Sequence, residues 1–386
     1  MSERDSTPRV WIVDSHRAGE RTQLRALACA LGWPCEIKTL SYRTYAIRTA
    51  LLRGCGLGGI DLADSDALAP PWPDLVLSMG MRNEPVCRWI RAQSGGRTRI
   101  VYLGRLWADP VHFDLVITTP QYPVPERPNV LRNALPLHPL TPSRLAREAA
   151  DWAPRLAHLP RPYIALSIGG TSGPYAFGAN AARRLRRDAV ALARARGGSL
   201  LISSSARTPE AAIDAFAAQR EVPMQLYRWR RGDTENPYFG FLALADELIV
   251  TADSMSMLSE ACATGKPVHM FDIGAGRFSM RRDMARVAGE TVPAAADDER
   301  ADLAAGALAY RALMRWGWRY LTRNISRIHL RLVREGRAVW LGDPPPAAQG
   351  TPPPGDMSRA IARIHALLGV EEGAPRAASL RRGGSP

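Results

Sequence analysis

Two serines and a glutamate follow an apolar run in the second half of the chain. Ser254, Ser256 and Glu260 come directly after the apolar residues 248–250. Ser254 is a residue type that caps helix N-termini and Gly265 one that ends helices, so we predict a helix between them and a strand on either side. The N–H groups at such a helix start bind phosphate, and Glu260, four residues after Ser256 on the same face, is placed to accept ribose hydroxyls. The alternative is an ordinary capped helix with a surface glutamate.

A glycine-rich turn follows another apolar run, at residues 163–168. The glycines of this turn allow backbone N–H groups to approach a phosphate closely, and a helical pattern begins shortly afterwards. The turn matches neither a dinucleotide fingerprint nor a P-loop. We take four residues of it as phosphate-binding candidates: Gly169, Gly170, Thr171 and Ser172.

Strands and helices alternate along both halves of the chain, and these elements must position the candidate residues. The strands are continuously apolar, which favours parallel sheets covered on both faces. At 386 residues the chain exceeds one ordinary core, and a proline-rich passage at 136–162 is the natural hinge. We therefore predict an α/β protein of two Rossmann-like domains facing a cleft.

The predicted domain boundaries follow from these patterns. The predicted segments are a first Rossmann-like domain at 1–145, a second at 160–300 that carries the nucleotide site, a basic aromatic helical segment at 301–340, and a proline-rich linker and tail at 341–386.

Two short motifs in the second half of the chain are the most specific ones: Glu235-Asn236-Pro237-Tyr238-Phe239-Gly240 and the stretch from Thr251 through Ala252, Asp253, Ser254, Met255, Ser256, Met257, Leu258, Ser259 and Glu260 to Ala261. Weaker motifs include Asp14 with Gly19-Glu20 and Gln23. These motifs resemble those of the mitochondrial-fission "elongated mitochondria" family, whose bacterial members look like glycosyltransferases of the two-domain GT-B type. The resemblance covers most of residues 9–280.

The resemblance implies a nucleotide-sugar donor in the second domain. A glutamate at the position of Glu260 holds the ribose in related sugar transferases, and the matched motifs add Asn236, Asp253 and Met257 to the donor site. Transfer also needs a cation near the departing diphosphate, for which Arg207 is the candidate, and a base for the acceptor hydroxyl. Asp14 and Glu20 match the family pattern for the base, whereas His16 on the same loop does not. No metal or other cofactor is predicted.

The sequence departs from the family pattern in the acceptor half. Residues 103–107 and 119–122 differ from the expected segments. The main hypothesis is a glycosyltransferase acting on an envelope glycolipid or polysaccharide. Two alternatives remain open, a non-catalytic adaptor like the plant members, which recruit a dynamin-like GTPase, and a sugar-nucleotide epimerase.

The net charge of +14 favours polyanionic partners such as nucleotides, anionic lipids and nucleic acid. No specific nucleic-acid partner is predicted, because no known binding module accompanies the charge. We expect a cytoplasmic protein with free thiols, since there is no secretory signal and the five cysteines form no paired motif.

Aromatic and basic residues alternate at 311–337. Arginines at four-residue spacing would form one stripe of a helix, which suits the inner face of an anionic cytoplasmic membrane or a lipid-linked acceptor. The alternative is a helix that packs on the first domain. The candidate membrane contacts are Arg315, Trp316, Trp318, Arg319 and Arg323.

Overall fold

The computed structural model describes residues 7–44, 54–290, 300–317, 321–344, 355–370 and 380–382. Its contacts divide the chain into two compact units. The first unit comprises Met1–Pro139 with Pro354–Pro386, and the second comprises Leu140–Pro353.

The first unit is built on a seven-stranded parallel sheet. In chain order its strands are β1 (Val10–Val13), β2 (Cys35–Lys38), β5 (Leu75–Met79), β6 (Arg99–Leu103), β7 (Leu115–Thr118), β8 (Val130–Arg132) and β15 (Leu380–Arg382). Their order across the sheet is β15-β2-β1-β5-β6-β7-β8. A separate antiparallel pair is formed by β3 (Ser41–Tyr42) and β4 (Ile60–Asp61).

Strand β1 shows why this sheet is buried on both faces. Val10 and Ile12 join one hydrophobic cluster, and Trp11 and Val13 join the other. Because side chains alternate along a strand, an apolar residue at every position supplies two cores. The helices of this unit are α1 (Ala18–Leu31), α2 (Glu84–Gln93) and α11 (Asp356–Leu368).

The second unit has a six-stranded parallel sheet. Its strands are β9 (Tyr163–Ser167), β10 (Ser199–Ser203), β11 (Met224–Tyr227), β12 (Glu247–Thr251), β13 (Val268–Phe271) and β14 (Val339–Trp340). Their order is β11-β10-β9-β12-β13-β14, so the chain reverses direction across the sheet between β9 and β12. In open α/β sheets this reversal point, at the carboxyl ends of the strands, is where ligands bind.

Eight helices of the second unit lie within the described residues. They are α3 (Pro142–Leu156), α4 (Ala179–Arg196), α5 (Glu210–Ala217), α6 (Tyr238–Leu244), α7 (Met255–Ala263), α8 (Met280–Ala288), α9 (Ala305–Trp316) and α10 (Ser326–Arg334). The predicted α/β class with two Rossmann-like domains is confirmed. The predicted strand-helix-strand unit around Ser254 is confirmed as β12, α7 and β13.

Two predicted segments differ from the structure. The single helix expected across 311–337 is interrupted, because α9 ends at Trp316 and α10 begins only at Ser326. The predicted tail is also part of a folded unit. Helix α11 buries Ala360 and Ile364 in the core of the first unit, and β15 pairs with β2. Among the described residues, no helix is long and apolar enough to cross a bilayer.

Candidate functional site

The loops after β9 and β12 are tied together at the reversal point of the second sheet. The two strands are neighbours, with Leu248 opposite Ala165. The N–H of Gly169, just after β9, donates to Thr251 Oγ1 at the end of β12 over 2.7 Å. The glycine turn and the start of α7 therefore share one edge of the sheet, as the sequence predicted.

A buried carboxylate fills the space beside the glycine turn. Asp253 is fully buried, accepts a hydrogen bond from Gly170 N–H at 3.1 Å, and forms an ion pair with Arg207 at 3.0 Å. Its Oδ1 atom is buried without a hydrogen-bond partner. Four of the predicted donor-site residues, Gly169, Gly170, Arg207 and Asp253, thus form one cluster.

The glycines of this turn are required by contacts with the chain itself. A Cβ atom at Gly169 would lie 2.4 Å from Asp253 Oδ1, and one at Gly170 would lie 1.9 Å from the carbonyl oxygen of Arg207. The predicted role in admitting a phosphate is therefore accompanied by a packing role. These glycines let two loops of the second unit pack at backbone contact distance.

Helix α7 begins at the N-cap residue Ser254, but the Ser254 side chain makes no capping hydrogen bond. Ser254 therefore occupies the predicted N-cap position, but its hydroxyl does not cap the helix. Ser254 is buried, whereas Ser256 and Met257 in the first turn are half-buried. An N-terminus whose cap residue makes no side-chain bond keeps its partial positive charge available to an anion.

Glu260 lies inside α7 and joins the two most specific motifs of the sequence. It is 5% exposed, and its Oε2 atom accepts a hydrogen bond from the Tyr238 hydroxyl at 2.6 Å. Burial raises the pKa of Glu260 to about 7, against the opposing effects of Tyr238 and Arg144. Tyr238 begins α6, whereas Asn236 is exposed and bonds the Tyr238 backbone N–H at 3.0 Å.

Sequence reasoning missed Asp302, which fills the start of the helix that follows the glycine turn. Its carboxylate accepts hydrogen bonds from Gly178 N–H at 2.9 Å, Asn180 N–H at 3.1 Å and Ala181 N–H at 2.8 Å. These N–H groups belong to the first turn of α4 and its N-cap. An acidic residue more than 100 positions downstream gives no local signal for such a contact.

The segment before α10 reaches the glycine turn. Arg323 Nη2 donates to Ser172 Oγ at 2.7 Å, and the Tyr310 hydroxyl accepts from Arg323 N–H at 2.8 Å. Thr171, next in the turn, is exposed and accepts from Phe177 N–H at 2.9 Å. The side chain predicted as a membrane contact at Arg323 is thus engaged within the second unit.

The other predicted membrane contacts divide into two groups. Trp316 is 79% exposed, and the exposed Arg315 stacks over its ring at 5.8 Å. Trp318 and Arg319 lie outside the described residues.

In the first unit the predicted base candidates gather around Ser15, after β1. Ser15 donates its N–H to Asp14 Oδ1 at 2.9 Å and its hydroxyl to Glu20 Oε2 at 2.5 Å. Asp14 also pairs with Arg25 at 3.2 Å, and Glu20 lies 3.6 Å from Arg17. Burial lowers the pKa of the exposed-loop residue His16, although Glu20 opposes that shift.

A second buried carboxylate in this unit was not predicted. Glu84 is 2% exposed and accepts hydrogen bonds from the N–H groups of Trp107 and Ala108, both at 2.8 Å. Burial raises its pKa to about 7 despite those two bonds. The only sequence signal was its place after the apolar strand β5.

A small depression of mixed polar and apolar lining lies at the carboxyl edge of the first sheet, with about 320 Å³ of empty space including its mouth. Two of its buried side-chain atoms, Thr118 Oγ1 and Gln121 Oε1, have no hydrogen-bond partner. Its wall includes Gly104, Thr119 and Tyr122, which come from the segments that depart from the family pattern.

Within the described ranges, no group of three or more His, Cys, Asp or Glu residues is arranged to hold a metal ion.

Comparison with known proteins places the chain beside a defined family. A family model described as mitochondrial fission ELM1 matches residues 18–304. The mitochondrial fission protein ELM1 of Arabidopsis thaliana is 34% identical over 146 residues, which cover 38% of this chain and 34% of that protein. The match thus spans about a third of the plant relative's length.

The chain is also similar to solved structures of sugar-nucleotide enzymes. A UDP-glucosyltransferase from Polygonum tinctorium shows 13% identity, coverage of 95% of this chain and 99% of that chain, and a TM-score of 0.46. The ADP-heptose lps heptosyltransferase II of E. coli shows 10% identity, coverage of 94% and 98%, and a TM-score of 0.40.

Proposed function

This chain belongs to the mitochondrial fission ELM1 family, and from that premise we propose that it is a glycosyltransferase that binds a nucleotide-sugar donor in its second unit. The proposal extends to an envelope glycolipid or polysaccharide as the acceptor class. One observation carries it: at the reversal point of the second sheet, a helix start without a side-chain cap is followed two turns later by the buried carboxylate of Glu260.

The donor would bind along α7. Its phosphates are matched by the partial positive charge at the start of the helix, near Ser254 and Ser256. Its ribose hydroxyls are matched by the Glu260 carboxylate, which now accepts a hydrogen bond from Tyr238. Ribose binding therefore requires the Tyr238 hydroxyl to share Glu260 or to move away from it.

The chemistry of transfer divides between charge stabilisation and proton removal. The developing charge on the leaving diphosphate is stabilised by helix and backbone dipoles, which requires no metal ion in this scheme. The base would come from the Ser15 cluster, where Asp14 and Glu20 are the two carboxylates. Both are already engaged with arginines, so the proposal assigns the base to the cluster and not to one residue.

One observation favours a second candidate function, a non-catalytic binding protein. Asp253 and Asp302 already occupy the glycine turn and the start of α4, where a nucleotide phosphate would be expected. In such a protein the internal carboxylates would replace the nucleotide permanently, and function would rest on surface contacts with a partner.

A thermal-shift screen of nucleotides and nucleotide sugars separates these candidates. A ligand that binds only the folded state raises the melting temperature by mass action. The glycosyltransferase proposal predicts a concentration-dependent rise with at least one nucleoside diphosphate and its sugar conjugate. No rise with any member of the panel would support the binding-protein candidate.

A further inference from the structure

Two anion-attracting features of the second unit, the Arg207 side chain and the N-terminus of α4, are already paired with carboxylates of the same unit. Arg207 forms an ion pair with Asp253, which also bonds Gly170 N–H. The start of α4 is filled by Asp302. A ligand anion at either place would have to compete with a carboxylate that is already hydrogen-bonded.

Arg323 is different, because it reaches the same glycine turn with a neutral partner. Its Nη2 atom donates to Ser172 Oγ, and its backbone N–H is anchored by Tyr310. The Tyr310 ring lies 3.3 Å from where a Cβ at Gly173 would be, so this anchor also packs on the turn. Within the part of the chain that the structure describes, the Arg323 guanidinium pairs with no carboxylate.

The same segment also contacts the other loop at this edge of the sheet. His329 in α10 is fully buried and bonds the carbonyl oxygen of Ala252, just after β12, at 2.7 Å. Burial lowers the pKa of His329 to about 4, so it is neutral at pH 7 and supplies position without charge. The segment from Arg323 to His329 therefore contacts the loop after β9 through Arg323 and the loop after β12 through His329.

We infer that Arg323 is the cationic anchor of a diphosphate-binding site formed with Ser172 and the first turn of α7. A guanidinium has five N–H donors in a planar fork that matches phosphate oxygens, and its bond to Ser172 uses only one of them. Ser172 accepts that bond and keeps its own O–H to donate to a phosphate. Arg207, the cation predicted from the sequence, instead holds Asp253.

This inference rests on the proposed function for the identity of the natural ligand, but its test does not. The probe is inorganic pyrophosphate, titrated by calorimetry at fixed ionic strength. We expect the Arg323→Gln variant to bind pyrophosphate at least about tenfold more weakly, since hydrogen bonds to charged groups are the strong ones. Ser172→Ala should weaken binding in the same direction and to a smaller extent.

Arg334→Gln is the matched control, because it removes one positive charge from an exposed arginine of the same unit that belongs to neither proposed binding surface. Its affinity should stay within about twofold of wild type, the small change expected from long-range charge that salt screens. Equal losses in Arg323→Gln and Arg334→Gln would overturn the inference, and so would a wild-type protein that does not bind pyrophosphate.

Two further outcomes distinguish a failure of this inference from a failure of the proposed function. If Arg323→Gln lowers the melting temperature of the ligand-free protein but leaves the pyrophosphate affinity unchanged, the role of Arg323 is purely structural and the inference is overturned. Pyrophosphate binding that depends on Arg323, combined with no response to any nucleotide, would confirm the anion site and reject the nucleotide-sugar donor.

Discussion

Asp253 is the residue on which the loops of the second unit converge. It binds Gly170 and Arg207 from two different loops while remaining fully buried. Its own position follows strand β12 directly, so the sequence could place it at the carboxyl edge of the sheet. The identity of its partners could not be read from the sequence, because they depend on how two loops pack.

Gly170 provides a test of that packing without any ligand. We predict that Gly170→Ala destabilises the protein by about 1–3 kcal/mol or more, because the new Cβ would overlap the carbonyl oxygen of Arg207. Denaturant unfolding measures the change. Gly306→Ala is the control, since a Cβ at that helical glycine meets no atom within 4 Å and should be neutral or stabilising. Unfolding of Gly170→Ala at the wild-type midpoint would show that the turn is not tightly packed.

Glu260 illustrates the limit of sequence reasoning at a single residue. Helical spacing placed it correctly inside α7, and its proposed role in ribose binding comes from the family resemblance. Neither could show that Tyr238 binds its carboxylate or that burial raises its pKa, because both effects depend on tertiary contacts.

At the scale of elements, α4 and α7 differ at their N-termini. Helix α4 receives three hydrogen bonds from Asp302, whereas the cap residue of α7 makes none with its side chain. Orphan N–H groups at helix starts are normally satisfied by caps, water or ligands. We therefore propose that an anion binds at the start of α7 and not at the start of α4.

The cap from Asp302 should contribute measurably to stability. We predict that Asp302→Ala lowers the free energy of unfolding by about 0.5–2 kcal/mol, the usual cost of losing an N-terminal cap. Chemical denaturation measures this change, with Glu290→Ala, an exposed acid of the same unit, as the control. Equal stability of the two variants would mean that Asp302 does not hold α4.

The break between α9 and α10 could not be predicted from arginine spacing. Four-residue spacing of charges survives in the sequence even where the backbone leaves the helix. At Gly317, where the helix ends, a Cβ would lie 2.6 Å from the backbone carbonyl oxygen of Leu313, so a larger residue would force the local backbone to shift. The predicted single stripe is thereby divided between two elements.

At the scale of the whole molecule, the end of the chain returns to the unit in which the chain begins. The sequence predicts a proline-rich linker, most of which lies outside the described residues, and the short helical run after it gave no sign of its partner. Ile364 in α11 is fully buried with residues of α1 and β1.

Because α11 packs in the core of the first unit, we predict that a substitution in α11 lowers stability even though it lies outside the candidate sites. Ile364→Ala should destabilise the first unit by about 2–5 kcal/mol, because it removes buried methyl groups from a packed core. Leu62→Ala, at a residue 61% exposed in the same unit, should change little. The comparison is made by thermal or denaturant unfolding, and a silent Ile364→Ala would indicate that α11 does not dock as described.

Membrane association also concerns the whole molecule. We propose that the protein contacts the membrane through the exposed C-terminal end of α9. We predict that anionic vesicles sediment the protein and that replacing Arg315 by Gln and Trp316 by Ala weakens this binding, by about 1 kcal/mol for the charge. Melting temperature should not fall, since Trp316 is 79% exposed. Arg327→Gln, at another exposed arginine, is the charge control. Equal sedimentation of all variants would reject this surface.

The central claim is that the buried Glu260 carboxylate of α7 binds the ribose of a nucleotide donor. The most direct measurement is a calorimetric titration, at several pH values, of wild type and Glu260→Gln with the nucleoside diphosphate that gives the largest thermal shift. The carboxyl pKa of about 7 means that it is ionised above that pH and protonated below it.

At pH 8 the ionised carboxylate should make wild type bind more tightly than Glu260→Gln by about 1.5–3 kcal/mol, the value of a hydrogen bond to a charged group. The gap between the two proteins should narrow as the pH falls through 7, and any titration of the ligand phosphates affects both proteins alike. Equal affinity of the two proteins at pH 8, with both folded, would contradict the account.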